Sequence, residues 1–336
     1  MAKRLLGLTV ALAAIVGSFY FFVRPWYLRW GATDEELRRV LPSDAIVGDL
    51  TASQETRAIT IHAGVDRVWP WLAQLGQDRG GFYSYDLVEN LVGCRMPTED
   101  RLRPDAQQWQ LGDKLWMYPP DRAGGAGFAT LRAFVPGRVM GFGTRMTGTS
   151  LSEPENGSWS FVLARIDDRT TRLIIRGRGT SGRSLLGVSF DRAIFEPAHF
   201  TMERRMMIGI KQLAEGGDRA RLWNHVQVGL WTITFLLFFT GIVRVILNRH
   251  WLRSLAGLIA SAAVFEILTL GQPPVLVSVM LVALVAMIFV WPRRKIREES
   301  FAAVTQIPTA ATGAGREARG VGVARVLLER QPGELS

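Results

Sequence analysis

Two stretches of this 336-residue chain gather side chains able to do chemistry. In GGFYSYDLVENLVG, residues 80–93, Tyr83 and Tyr85 stand two positions apart and are followed by Asp86, Glu89 and Asn90. Phenols beside carboxylates can form an acid–base pair, line a pocket mouth, or open a helix. The D-x-x-E spacing of Asp86 and Glu89 fits a helix cap: Asp86 accepts from a free N–H of the first turn and Glu89 reaches back. Leu87 with Leu91, and Val88 with Val92, continue the apolar pattern at i, i+4. Tyr83 and Tyr85 read either as pocket lining, where an apolar ring needs a wet tip, or as core packing. With Asp86 they are also the candidate acid and base of an enzyme.

The second stretch, EPAHFTMERR, puts Glu196, His199 and Glu203 on one helical side at i, i+3 and i+7. A Glu-x-x-His motif can bind metal, but the carboxylate-bridged bundles need a second such motif, and the sequence has none. These residues therefore read as a solvated, ion-paired face. Arg172, Arg176 and Arg178 share one face of a strand. That face is either the solvated outer side of a sheet or, turned inward, a bidentate grip on a carboxylate or phosphate.

Other chemistries lack their residues. No G-x-S-x-G elbow is present, and the Gly-rich GGAG at 124–127 lacks the Lys-Ser/Thr of a phosphate loop. The single cysteine, Cys94, excludes an intramolecular disulfide and a zinc spacing, and reads as a small buried apolar residue. No cofactor and no metal are expected.

The elements that must position these residues follow from periodicity. TRAITIHA alternates Ile59 and Ile61 against Thr60 and His62, a half-buried strand. In GVDRVWPWLAQLG, Val65, Val68, Leu72 and Leu75 mark one helical face. Residues 76–127 are irregular and rich in aromatics. FATLRAFVPGRVMGF reads as two strands joined at Pro136-Gly137, and SWSFVLARIDDRTTRLIIRGRG as a second hairpin turning at DDRT. FEPAHFTMERRMMIGIKQLAEGG is a long helix whose Phe195, Ala198, Met202, Met206, Gly209 and Leu213 form one stripe, closed by Gly216-Gly217. Strand, helix, antiparallel strands and a long C-terminal helix give an α+β order. A curved sheet around such a helix leaves a cavity between them for a ligand.

Hydropathy adds four long apolar runs, placed as transmembrane helices at 5–23, 226–247, 252–270 and 274–292. Each approaches the roughly 20 residues that a hydrocarbon core of about 30 Å requires. The third carries Glu266, a functional candidate inside the membrane or a side chain snorkelling to its edge. Trp26, Trp30, Trp223, Trp251 and Trp291 flank these runs, as expected at a headgroup boundary. The first run ends on bulky FYFFV and reads as an uncleaved anchor. Lys3, Arg4, Arg249, Arg253 and the cluster Arg293, Arg294, Lys295, Arg297 lie on one side. The positive-inside rule then puts both termini in the cytoplasm and 24–225 outside. Residues 24–225 hold 27 basic and 24 acidic side chains, so most of the net charge of +10 belongs to membrane flanks and tail. That distribution points to inner-leaflet contact and excludes nucleic acid as the expected partner.

ITIHAGVDRVWPWLAQLG followed by VWPWLAQLGQDRGGFYSYDLVENLVG and MERRMMIGIK resembles the SRPBCC superfamily, the START-like, polyketide-cyclase-related proteins of helix-grip fold. The likeness covers about 56–215 and is nearest to bacterial members without assigned function. It implies an antiparallel sheet around the long C-terminal helix, and binding or transfer of a lipid, isoprenoid or other hydrophobic molecule. Its alternative is cyclase or dehydratase chemistry on a hydrophobic or polyketide-like substrate. The expected ligand contacts are Trp71, Tyr83, Tyr85, Trp109, Trp159, Arg176, Met202 and Met206. The expected layout is a linker with a short helix at 24–55, capped at Thr33, the START-like domain at 56–217, the last three spans, and a disordered cytoplasmic tail at 293–336. The place expected for the protein is the bacterial cytoplasmic membrane.

Overall fold

A computed structural model describes residues 1–47, 53–97, 100–145, 154–179, 190–248 and 251–290. The tail, its basic cluster, Trp291, Arg249 and His250 lie outside the described residues. Six strands form one antiparallel sheet: β1 (Ser53–Ile61), β2 (Lys114–Trp116), β3 (Phe128–Val135), β4 (Val139–Thr144), β5 (Gly157–Asp167) and β6 (Thr170–Gly179). Their spatial order is β1-β6-β5-β4-β3-β2, so only β1 is displaced from sequence order, pairing with the last strand. The two hairpins turn where Pro136-Gly137 and the DDRT stretch interrupt the alternation, with Gly137 at φ +74°.

Period-2 alternation gives this sheet two buried faces instead of one. The inner face carries Ile61, Phe142, Trp159, Phe161, Leu163, Leu173 and Ile175. They pack against α3 (Val65–Ala73), through Val68, Trp71 and Leu72, and against the long α5 (Glu196–Ala214), through Met206, Met207, Ile210 and Leu213. On the outer face Ala58, Val139, Val162 and Ile174 pack against Leu41. Leu41 follows α2 (Asp34–Arg38), whose start is fixed by a complete capping box: Thr33 accepts from the Glu36 N–H and Glu36 accepts from that of Thr33. The segment after the first long helix is thus a cover for the sheet, not a free linker.

Among the described residues, three helices are long and apolar enough to cross a membrane: α1 (Ala2–Leu28), α6 (Arg221–Leu247) and α7 (Trp251–Gly271). The fourth predicted span corrects to a shorter helix, α8 (Val275–Val290), of 16 described residues. At about 1.5 Å per residue its described part reaches roughly 24 Å. Small residues let these helices approach closely: Gly241 faces Leu258 and Gly257 faces Phe289, leaving no room for a Cβ. Arg4 donates to the Ile246 carbonyl at 2.9 Å, joining the start of α1 to the end of α6.

The opposite end of this bundle meets α5. Gln272 donates to the Thr201 carbonyl at 2.8 Å, Arg204 donates to that of Leu270, and Phe200 packs with Leu270 and Tyr27. The long helix is consequently enclosed by the sheet on one side and by the bundle on the other. This explains why Arg205 and Glu203, polar on any helical wheel, are buried.

Candidate functional site

The segment 80–93 ties these parts together. Tyr83 adopts the left-handed backbone at φ +54°, a conformation that bulky residues rarely hold without compensation. The compensation is packing. Its ring meets Trp71 edge-on at 5.8 Å and lies 5.6 Å under the Arg219 guanidinium, and its carbonyl fits against Gly209, where any Cβ would collide with it. Ser84 Oγ donates to the Met202 carbonyl at 2.7 Å. Tyr85 donates to Gln227 Oε1 at 3.0 Å and packs edge-on against Trp231 at 4.6 Å, both on α6. Burial pushes both phenols well above their ordinary range.

The predicted cap pair is not formed. Tyr85 takes the cap position of α4 (Asp86–Leu91) without a side-chain bond, because both Asp86 oxygens accept from Arg219, at 3.2 and 3.0 Å. Arg219 Nε also donates to Asp100 at 2.6 Å. Burial, together with the charge of Asp86, pushes the Glu89 carboxyl up to about 8. Tyr83, Tyr85 and Asp86 therefore form the joint between the sheet domain and the bundle.

A second group lies at the N-terminal half of α5. Glu203 Oε1 accepts from Arg57 Nη1 at 2.6 Å, and Glu203 Oε2 from Trp159 Nε1 at 2.7 Å. Arg57 Nη2 donates to Glu55 at 2.6 Å and its Nε to the Tyr27 carbonyl at 3.0 Å. His199 closes the group, with Nδ1 3.5 Å from Glu55 and Nε2 4.0 Å from Glu203. One turn earlier, Glu196 accepts two bonds from Arg24, at 2.8 and 2.9 Å. The reading of Glu196, His199 and Glu203 as a solvated face is thus corrected: their partners come from β1 and α1. The signal was present in β1, where Glu55 and Arg57 are in phase with the inward Ile59 and Ile61.

Glu55, His199 and Glu203 offer ligand atoms within 4.8 Å of one another, a spacing that a metal ion can bridge. The Arg57 guanidinium, however, already bonds both carboxylates, and a dication would have to sit against it. The group is self-neutralising: two carboxylates face one guanidinium and one imidazole. Burial alone would lower the His199 pKa, but its hydrogen bond to Glu55 and the charges of Glu203 and Glu55 reverse this and raise it. Burial alone would raise the Glu55 pKa, but Arg57 and His199 hold it down at about 2.

The pH dependence follows from these signs. The His199 contribution to stability is complete below its ordinary 6.5 and is lost as pH rises through the raised folded value. The Glu55 contribution is complete above 4.5 and is lost as pH falls towards about 2. Thermal midpoints measured between pH 4 and pH 9 are expected to decline above about 4.5, as the raised Glu89 carboxyl loses its contribution towards about 8, with the His199 loss added above about 6.5. His199→Gln is expected to flatten the part of that decline above about 6.5, and an unchanged slope there would show that His199 does not contribute to it.

Beside the group runs a line of aromatic rings. Phe195, which is exposed, stacks on His199 at 5.7 Å; His199 meets Trp159 edge-on at 5.6 Å; and Trp159 contacts Phe161 at 4.6 Å and Phe82 at 6.1 Å. The line leads from the bundle's edge to the inner face of the sheet. Of the residues predicted as ligand contacts, Trp71, Tyr83, Trp109, Trp159 and Met206 are brought together in the inner core. Met202 lies against Ser84. Tyr85 is directed at α6 instead.

Arg176 is on the other side of the sheet. It is buried there and donates to Thr56 Oγ1, Asp44 Oδ2 and the carbonyls of Glu36, Leu37 and Arg39. Neither a solvated face nor an inward grip describes it, because residues 34–47 cover that face. Sequence reasoning missed Glu55, Arg57 and the role of Phe195.

No protein-family model matches the chain, and no curated protein matches it. Among solved structures, a Mesorhizobium loti protein is 12% identical, with a TM-score of 0.29 over 49% of this chain and 99% of its own. The Aha1 dimer from Colwellia psychrerythraea is also 12% identical, with a TM-score of 0.27 over 49% of this chain and 98% of its own. A Polyketide_cyc-like protein from Corynebacterium glutamicum is 14% identical, with a TM-score of 0.23 over 50% of this chain and 88% of its own. Likenesses of this size identify neither a family nor a function.

Proposed function

We propose that the chain is a membrane-anchored helix-grip module that binds a hydrophobic molecule drawn from the bilayer. The observation that supports this reading is the aromatic line from exposed Phe195, past His199, to Trp159 and Phe82. It starts beside the end of α1 and runs towards the inner face of the sheet, so an apolar molecule leaving the membrane meets rings along its course. The Glu55–Arg57–His199–Glu203 group beside it offers charged hydrogen-bonding partners for a polar end. A lipid or isoprenoid combines the two chemistries. In this reading residues 24–225 lie outside the cytoplasmic membrane of a bacterium.

The reading is tested by native mass spectrometry of the full chain released from membranes in mild detergent. Wild type is expected to carry a bound hydrophobic molecule, and Phe195→Asp is expected to lose most of it while keeping its fold. Equal retention by the variant would remove the proposed route. A second reading, chemistry on the bound molecule, is favoured by one observation: His199 Nδ1 lies 3.5 Å from Glu55, and the ring keeps part of its surface exposed. An imidazole oriented by a carboxylate is a general acid–base pair. His199→Gln separates the readings: on the second it abolishes turnover of the molecule still bound, whereas on the first no turnover is found in wild type and only the amount retained can change.

A further inference from the structure

The depth of the bilayer can be located on α1. Arg4 and Arg24 are 20 positions apart, which at about 1.5 Å per residue is roughly the 30 Å of a hydrocarbon core. Arg24 therefore marks the boundary on the domain side, and Tyr20 lies one turn inside it. The turn leading into α5, Asp191–Phe195, is held at this level by two bonds: Arg192 donates to the Tyr20 hydroxyl at 2.7 Å, and Arg24 pairs with Glu196 at 2.8 Å. Here Phe190, Ile194 and Phe195 are 47%, 57% and 40% exposed.

The same level recurs on α6. Tyr85 bonds Gln227 and packs against Trp231, inside the apolar run that begins at Val226. The next residues form α4, whose Leu87 and Leu91 are exposed, Leu91 by 82%, as is Val92 just after it. Leu222 and Trp223, at the start of α6, are exposed too. Large apolar side chains at the level of a headgroup boundary form the kind of surface that interfacial segments bury.

We infer that the domain is seated on the bilayer through two wedges besides its spans, the turn Phe190–Phe195 and the side chains Leu87, Leu91 and Val92 on and just after α4, both entering the headgroup–acyl boundary. This rests on the membrane reading proposed above and adds a lipid contact to it. Both wedges are tied by side chains to helices long and apolar enough to cross the bilayer, the turn to α1 through Tyr20 and Arg24 and α4 to α6 through Tyr85, which is the reason for choosing lipid over a second protein as their partner. The turn also adjoins the aromatic line, so the seated domain would open that line directly to lipid.

The test uses spin-labelled single-cysteine variants of the full chain on a Cys94→Ala background, reconstituted in vesicles of phosphatidylcholine and phosphatidylglycerol. Ile194→Cys and Leu91→Cys report the wedges, with Phe190→Cys and Leu87→Cys as second probes. Leu236→Cys reports the bundle, and Ile166→Cys reports the exposed hairpin tip of β5 and β6. The ratio of oxygen to nickel-chelate accessibility is expected to be several-fold higher at 194 and 91 than at 166, and lower than at 236. Values at 194 and 91 equal to that at 166 would overturn the inference, as would shielding from both reagents, which would mean that protein covers them. If position 236 itself read like 166, the membrane reading would fail and the wedges with it.

Discussion

Replacing Glu203 by Ala is expected to lower the stability of the folded protein by about 3–5 kcal/mol, the cost of breaking a buried ion pair from one side. Glu203 takes bonds from Arg57 and from the Trp159 indole, and the Arg57 side chain has no exposed surface. Removing the carboxylate leaves Arg57 with Glu55 as its remaining charged partner beside the Tyr27 carbonyl, and strands the Trp159 N–H. Glu203→Gln keeps the shape and one acceptor, so it is expected to lie between Ala and wild type. The informative partner is the double variant Arg57→Met, Glu203→Leu. Filling the space with apolar groups removes the desolvation cost of both ions, so the double variant should recover much of the loss. Thermal unfolding in detergent, followed by tryptophan fluorescence, reads all three. A Glu203→Ala protein as stable as wild type would show that the group is not buried as described.

The second large effect is expected at the joint. Arg219→Met should cost about 3 kcal/mol, because Asp86 then stays buried without its bidentate partner. Asp100 is affected less, since Arg221 Nη2 lies 2.9 Å away; Asp86 is left with only the more distant Arg221 Nε at 3.9 Å. Adding Asp86→Asn to Arg219→Met should restore part of the loss by removing the unpaired charge. Tyr85→Phe, which deletes only the bond to Gln227, should cost about 1 kcal/mol, the usual net worth of one hydrogen bond. Thermal midpoints rank these variants. Limited proteolysis between Gly216 and Arg221 should become faster in Arg219→Met, because that segment loses its anchor. An Arg219→Met protein of wild-type stability and protease resistance would remove the joint from the account.

The α+β character was legible because the strands carry their period openly. Trp159, Phe161 and Leu163 alternate towards one face and Leu173 and Ile175 continue it, and both hairpin turns stand at the residues that mark them. What was not legible arises from elements far apart in sequence. EPAHFTMERR reads as an exposed face because nothing local shows that β1 brings Arg57 and α1 brings Arg24 to it. The arginines of β6 read as solvated because an outer face normally is; residues 34–47 fold back over it and supply four acceptors to Arg176, and Thr56 of β1 a fifth. The tyrosines of residues 80–93 were legible as a special place, but their task was not. Nothing near Tyr85 indicates Gln227, 142 positions away, and the capping pattern at Asp86 loses to a bidentate arginine.

The placement of the candidate site shifts accordingly, from Tyr83 and Tyr85 to the first half of α5, where charge, an imidazole and exposed rings converge. The most direct test of this central claim is the mass of what the full chain carries out of the membrane. The expected result is a hydrophobic molecule retained by wild type and by Tyr85→Phe, and largely absent from Phe195→Asp. A chain that emerges empty in every preparation and gains no thermal stability from added membrane lipid would contradict it.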